Sequence, residues 1–245
     1  MAELLAKPDV PLLLHLEEVL CLGREIAEHM QLPPSLRTRA LLACAFHDVG
    51  KATRGFQEYM HALLALQEAE QHGAPAPEQE RLRRDARRKK FRAYPHALAS
   101  MPFVFVVERM LHPGHKGSFL PLEATAAVLS HHSPLGPELY KSYEGRPDYL
   151  WDALSDLLRA LWELLQHNGV EGIPPLEALE PQIRILADQP PTAVLEQPLS
   201  FGDEAHTLRG ILQRLPPEDF ARVKTVLCEI PTRLDIVPGR GEVRR

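Results

Sequence analysis

The residues best suited to chemistry are His47 and Asp48, which follow an apolar helical stretch and come just before Gly50. An imidazole is a good ligand for transition metals, and a carboxylate has two oxygens that can bridge a pair of ions. Neighbouring helical side chains point about 100° apart, so His47 and Asp48 cannot both face an ordinary core. A site that both side chains reach is therefore the most economical explanation of the pair.

Further histidines lie at positions that a helical bundle can bring to the same cavity. They are His15, His96, His131 and His132. Taken singly, His15 would be a core histidine with one hydrogen bond, and the others would be exposed residues at helix ends. Beside the adjacent histidine and aspartate, the set instead predicts a metal site in a cavity between helices.

The elements that must position these residues are predicted to be helices. Hydrophobic periodicity and prolines predict them at about 11–30, 35–48, 56–69, 95–111, 121–132, 148–167, 176–188, 204–215 and 217–230. Ser35 is predicted to cap the start of the second helix, and Gly50 to cap its end. The charged segment 78–92 fits either a solvated helix or a mobile loop. Residues 103–107 have strand-like composition, but their flanks favour a helix.

Composition limits the classes of function. The chain has 245 residues, of which 44% are hydrophobic, so it can bury a substantial core. The first residues lack the apolar run of a signal peptide, and no stretch is apolar enough to cross a membrane. Three isolated cysteines fit reduced thiols and predict a cytoplasmic protein. No phosphate-binding loop is present, so no ATP-driven motor is expected in this chain.

A net charge of −5 means that any contact with nucleic acid must come from a local basic patch. The run 81–92 is such a patch, and its candidate DNA-binding residues are Arg83, Arg84, Arg87 and Arg88. Phosphate neutralisation would give nonspecific binding, and Phe91 and Tyr94 could stack on unpaired bases. A solvated charged segment is an equally weighted alternative.

Several stretches resemble the HD nuclease of type I CRISPR interference. They are His47–Thr53 with Phe56–Tyr59, Pro11–Glu17, His96–Ser100 and Val128–Ser133. The resemblance covers about the first 135 residues and implies an all-α bundle of the HD superfamily with a metal site between its helices. We expect one HD nuclease domain over 1–245, with a basic insertion at about 70–92 and a C-terminal helical part from about 148.

The resemblance also implies two adjacent divalent metal ions bridged by Asp48. One would be held by His15, His47 and Asp48, and the other by Asp48, His96, His131 and His132. Lys51 would lie beside the scissile phosphate. Imidazole-rich ligation favours manganese, nickel, cobalt or iron, with magnesium as the alternative.

The sequence departs from the family pattern near its end. The family supplies a last aspartate to the first metal in a pattern like Ala-Asp-Arg-Leu, where this chain has Thr232-Arg233-Leu234. Asp235 and Asp203 are the alternative candidates for the missing ligand.

The resemblance implies a metal-dependent deoxyribonuclease that prefers single-stranded DNA. The resemblance implies two partners, a CRISPR helicase on a separate chain or a C-terminal region, and the RNA-guided surveillance complex. An HD phosphohydrolase acting on a small nucleotide is one alternative, and an inactive adaptor that binds the same complex is another. The basic run favours a polymeric substrate, and the intact set of histidines argues against the adaptor.

Overall fold

The computed structural model describes residues 3–111, 121–132, 134–135, 143, 145–196, 198–201 and 204–230. Helices dominate this part of the chain: α1 (Leu12–His29), α2 (Pro34–Phe46), α3 (Arg54–Gln71), α4 (Ala76–Arg92), α5 (His96–Met110), α6 (Glu123–Ser130), α7 (Trp151–His167), α8 (Leu176–Ala187), α9 (Pro191–Leu195), α10 (Leu208–Leu212) and α11 (Pro217–Cys228). A short 3-10 helix, Val49–Lys51, follows α2. The expected all-α architecture is confirmed.

The strands form two small antiparallel hairpins. Strand β1 (Leu5–Lys7) pairs with β2 (Val10–Pro11), and β3 (Pro198–Phe201) pairs with β4 (Glu204–Thr207). Neither hairpin has enough strands to make an independent sheet. None of the described helices has the length and apolarity needed to span a bilayer.

Helix α2 runs through the centre of the main hydrophobic core. All residues from Ala40 to Phe46 are at most 1% exposed, so this end of the helix is covered on every side. The surrounding core includes residues of α1, α5, α7, α8 and α11, and the Phe46 ring meets Trp162 edge to face at 5.8 Å. The end of α2 therefore delivers His47 and Asp48 to the interior of the bundle.

Helices α5 and α6 pack against each other beside α2, and α11 contacts both α2 and α6. His96 is the first residue of α5, whereas His131 and His132 directly follow α6. His15 lies on the buried face of α1, which also packs on α2. Four separate chain segments thus bring their histidines to the same end of α2.

Both predicted caps of α2 were wrong. The helix begins at Pro34 with Pro33 as its N-cap residue and has no side-chain cap, because a proline at the first position already has helical φ. At the other end α2 stops at Phe46, and Gly50 lies inside the 3-10 helix. A Cβ on Gly50 would collide with the carbonyl oxygen of His96, so glycine here permits a close backbone approach.

The helix predicted at 204–215 was also wrong at its start. Residues 204–207 form strand β4, and α10 is confined to Leu208–Leu212. Thr207 caps α10, since its Oγ1 accepts a hydrogen bond of 3.0 Å from the Gly210 amide. The two segments left open by the sequence are both helical: 78–92 lies in α4, and 103–107 lies in α5. The proposed basic insertion and C-terminal part stay predictions.

Candidate metal centre

A cavity of about 330 Å³ opens at the end of α2. Its lining residues are Lys7, His15, His47, Asp48, Lys51, His131, His132, Leu227 and Cys228. They come from the β1 strand, α1, the turn after α2, the end of α6 and the end of α11. The cavity is therefore built by long-range packing of five chain segments.

One group of possible metal donors consists of His15, His47 and Asp48. The Nε2 atoms of His15 and His47 lie 2.9 and 3.2 Å from Asp48 Oδ2, and 3.3 Å from each other. All three side chains are buried. The group has the convergent nitrogen and oxygen atoms that a divalent ion needs.

A second group consists of Asp48, His96, His131 and His132. Asp48 Oδ1 lies 3.1 Å from His96 Nε2 and 3.8 Å from His131 Nε2. The Nε2 atom of His96 lies 3.2 Å from that of His131 and 3.0 Å from that of His132. Asp48 thus belongs to both groups, with one carboxylate oxygen turned toward each.

Backbone carbonyls fix the orientation of two imidazoles. His47 Nδ1 donates to Cys44 O at 2.9 Å, and His131 Nδ1 donates to Val128 O at 2.6 Å. Because a carbonyl only accepts, each Nδ1 carries a proton, so in the neutral form of each ring the lone pair lies on Nε2 and faces the cavity. This is the tautomer required of a metal ligand.

Burial keeps several of these histidines neutral. It lowers the pKa of His131 to about 3, against the attraction of the Asp48 charge, and it also lowers the pKa of His15 and His132. Burial alone would raise the pKa of Asp48, but His47 and Lys51 hold it well below its usual range. The Lys51 ammonium already offsets part of the Asp48 charge, and a divalent ion among the imidazole nitrogens would offset more of it.

Asp48 Oδ1 has no hydrogen bond of acceptable geometry among the described residues, although it is buried. This open acceptor and the converging lone pairs fit a bound divalent ion at each group. The arrangement has nitrogen-rich ligation, which transition metals favour over the all-oxygen ligation that suits calcium.

Lys51 lies in the cavity and is buried. Its Nζ is 2.7 Å from Asp48 Oδ2, donates to Ala6 O at 3.1 Å, and lies 5.4 Å from the centre of the Phe56 ring. The ammonium is thus paired with the same carboxylate oxygen that faces His15 and His47. Its predicted place beside a phosphate stays a prediction.

The other predicted residues lie away from the cavity or outside the described residues. Asp203, Thr232 and Asp235 belong to the latter class. The four candidate arginines lie on α4, where Arg83 pairs with Glu70 at 2.8 Å and Arg88 pairs with Asp85 at 2.6 Å. Arg84 is 3.8 Å from Glu80. No ion pair of Arg87 occurs within the described parts of the chain.

Two features of the cavity were missed from the sequence. Leu227 and Cys228 form a wall, although they lie far along the chain from the histidines, and Lys7 lines the cavity from β1. The amphipathic pattern of 217–230 predicted a helix but gave no sign of its neighbour. Contacts of this kind are set by tertiary packing, which a local pattern does not report.

Comparison with curated proteins and with solved structures gives no match. Residues 7–193 match the sequence family described as Cas3, HD domain, and this match covers the α1 to α6 segments that hold every described candidate ligand. The resemblance noted from the sequence and the HD-superfamily fold are thereby confirmed. The chain belongs to the Cas3 HD-domain family of CRISPR-associated, metal-dependent nucleases.

Proposed function

We propose that this chain cleaves DNA, with a preference for single strands, in type I CRISPR interference. The observation that carries the proposal is the position of Asp48, whose two oxygens face two separate groups of histidines. Two divalent ions held by these groups would supply an activated water and would stabilise both the attacking and the leaving oxygen of a phosphodiester.

The two proposed ion positions differ in the number of protein donors that surround them. The group that contains His96 has four donors, whereas the group that contains His15 has three described donors. We therefore propose that the position at His96 has the higher metal affinity and fills first. Asp235 or Asp203 is the proposed further ligand at His15. Manganese, nickel, cobalt or iron fits the imidazoles better than magnesium does.

Lys51 is proposed to contact the substrate. A phosphodiester that enters the cavity brings negative charge close to Asp48, and the Lys51 ammonium can offset charge on the phosphoryl oxygens. The short pair with Asp48 holds this cation at the site beforehand, so little rearrangement is needed. Burial lowers the pKa of His131, His15 and His132, which favours neutral imidazoles whose lone pairs are free for ligation.

Helix α4 is the proposed contact with the DNA strand. Arg87 has no carboxylate partner in the described parts of the chain, and the Phe91 side chain is 93% exposed. An exposed aromatic ring beside cations suits stacking on unpaired bases. Tyr94 is half-buried against the Tyr143 ring at 6.0 Å, so Phe91 is the better candidate for stacking. The helicase and the surveillance complex are proposed as partners of this nuclease.

The basic face of α4 also favours DNA over the small-nucleotide alternative, because a single nucleotide in the cavity would not need it. The intact set of histidines argues against the inactive adaptor, since an adaptor gains nothing from buried converging histidines. The phosphohydrolase and the adaptor predict different hydrolytic activities for the purified chain.

The decisive experiment compares single-stranded DNA, duplex DNA and nucleoside triphosphates as substrates, after chelation and after addition of manganese. Cleavage of single-stranded DNA should require the metal, and Asp48→Asn should lower it by about 100-fold or more. Asp152→Asn, an exposed aspartate in the first turn of α7, is the matched control. Faster hydrolysis of nucleotides than of DNA would favour the phosphohydrolase, and no metal-dependent hydrolysis would favour the adaptor.

A further inference from the structure

Ser100 belongs to neither group of metal donors but contacts the backbone beside them. It is in the first turns of α5, after His96, and its side chain is fully buried. Its Oγ accepts a hydrogen bond of 2.8 Å from the Gly50 amide and donates one of 2.9 Å to the His47 carbonyl. One hydroxyl therefore joins the helix that carries His96 to the turn that carries His47 and Asp48.

The two backbones meet closely at this point. A Cβ on Gly50 would collide with the His96 carbonyl oxygen and would lie 2.7 Å from the Ser100 nitrogen. The Tyr149 hydroxyl also donates a hydrogen bond of 2.6 Å to the Ala99 carbonyl of α5. The turn that contains Gly50 therefore packs directly against α5, and these contacts hold the turn and the helix at a fixed separation.

We infer that Ser100 is a positioning residue that sets the separation of the two metal ions. Its hydroxyl fixes the His47–Asp48 turn against the start of α5, so it fixes Asp48 Oδ1 relative to His96 Nε2, which lie 3.1 Å apart. The inference rests on the proposed two-ion site and concerns how that site keeps its dimensions. A supporting residue of this kind acts through the ligands and contacts no ion itself.

The test is Ser100→Ala, loaded with manganese and measured without DNA. In the wild type, calorimetry should find two ions per chain, and electron paramagnetic resonance should show magnetic coupling between them. In the variant, the affinity for the second equivalent should fall by about 10- to 100-fold and the coupling should weaken. Circular dichroism checks that the helices remain, and DNA cleavage should fall in parallel with occupancy.

Ser155→Ala is the matched control. The Ser155 hydroxyl also joins two helices, through Glu180 at 3.3 Å and Arg184 at 3.1 Å, but it lies on α7 away from the metal centre. This variant should keep the coupling and the affinity of the wild type. Gly50→Ala should separate the same turn and helix by a steric route and should change the coupling as Ser100→Ala does.

Wild-type coupling and affinity in Ser100→Ala would overturn the inference. If that variant does not fold, Ser100→Cys keeps a similar size with a weaker hydrogen-bonding group, and the same two measurements decide. A wild type that binds two coupled ions but cleaves no DNA would contradict the proposed function while leaving this test intact. A wild type that holds one ion would overturn the inference together with the two-ion proposal.

Discussion

Lys51 combines a buried charge with a place in the metal cavity. Its ammonium is 2.7 Å from Asp48 Oδ2. A metal ion bound by His15 and His47 would be attracted to the same carboxylate oxygen. Like charges at such short range disfavour each other strongly even at an effective dielectric constant near that of a protein surface. Lys51 is therefore expected to weaken metal binding while it assists the substrate.

We predict that Lys51→Met binds manganese more tightly and cleaves DNA more slowly. Removing the ammonium should raise the affinity of the His15 group for manganese by about tenfold. Such a change requires the loss of only about 1.4 kcal/mol of repulsion between the ammonium and the ion. Calorimetry and steady-state kinetics measure the two effects separately. Lys224→Met, which removes a lysine near the Phe220 ring, is the control. Unchanged cleavage with tighter binding would remove Lys51 from the contacts with substrate.

Individual residue types could be predicted well at the site, but their contacts could not. Histidine and aspartate are uncommon enough in clusters that His47 and Asp48 drew attention to the others. Gly50 was misinterpreted because a helix cap and a close backbone approach both select glycine. Only the distant carbonyl of His96, brought near by folding, distinguishes the two explanations.

At the scale of elements, α6 is held in place by two buried glutamate side chains. Glu108 on α5 accepts hydrogen bonds of 2.8 Å from the amides of Ala124 and Thr125 and from the Thr125 hydroxyl. Glu123 forms an ion pair of 3.3 Å with Arg39 on α2. Since α6 ends at His131, these contacts fix the position of the histidines that follow it.

We predict that Glu108→Ala destabilises the protein by about 3 kcal/mol or more. The substitution leaves two buried amides and a hydroxyl without acceptors and opens a cavity at the start of α6. Metal affinity at the His96 group should also fall, because His131 and His132 lose their support. Urea unfolding and calorimetry measure these effects, with Glu177→Ala on the exposed first turn of α8 as the control. A loss of stability without a loss of affinity would show that α6 keeps its position without Glu108.

Several arginines of helix α4 form ion pairs with carboxylates, which the basic run in the sequence did not indicate. Ala86 is its one buried residue, and the helix packs on α3 with most of its side chains in solvent. Arg83 is turned back toward Glu70 of α3 and has a second partner in Glu80. An arginine with two carboxylate partners has less charge to offer a phosphate than one without.

We therefore predict that Arg87→Ala weakens binding of single-stranded DNA more than Arg83→Ala does. Log affinity falls as log salt concentration rises, and each phosphate contact that is lost should make this slope less steep by about 0.7. Fluorescence anisotropy at several salt concentrations measures this slope. Arg159→Ala, which removes an exposed arginine paired with Asp156 on α7, is the control. Equal effects of the two α4 variants would mean that the ion pairs of Arg83 break on binding.

At the scale of the whole molecule, the buried histidines link stability to pH. Burial lowers the pKa of His131 from 6.5 to about 3, so the unfolded chain takes up a proton below pH 6.5 that the folded chain does not. The resulting stability is present above pH 6.5 and is lost as the pH falls toward 3. His15 and His132 act in the same direction. Glu108 acts in the opposite direction between pH 4.5 and about 8, because burial raises its pKa.

The prediction is that, in chelator, His131→Asn reduces the loss of stability between pH 6.5 and 4.5. The contribution of one histidine is at most about 1.4 kcal/mol per pH unit. Urea unfolding of the variant and the wild type across this range isolates His131, because Glu108 is common to both. The exposed His61→Asn on α3 is the control. Parallel curves for the wild type and His131→Asn would contradict the burial argument.

The sequence predicted the helical architecture and most helix positions because periodicity and proline act locally. It failed at 204–207, where four residues pair with Pro198–Phe201 instead of extending α10. It also gave no indication that α11 would form a wall of the metal cavity. These errors share one cause, since strand pairing and helix packing join segments that no short window of sequence contains together.

Cys228 is exposed and lines the cavity from the end of α11, whereas Cys44 is fully buried between helices. The two thiols therefore differ in their access to a reagent dissolved in water. With the half-exposed Cys21 changed to serine, a fluorescent dye could be attached at Cys228 alone. The chain thus has a natural attachment point from which the arrival of a molecule in the cavity could be followed optically.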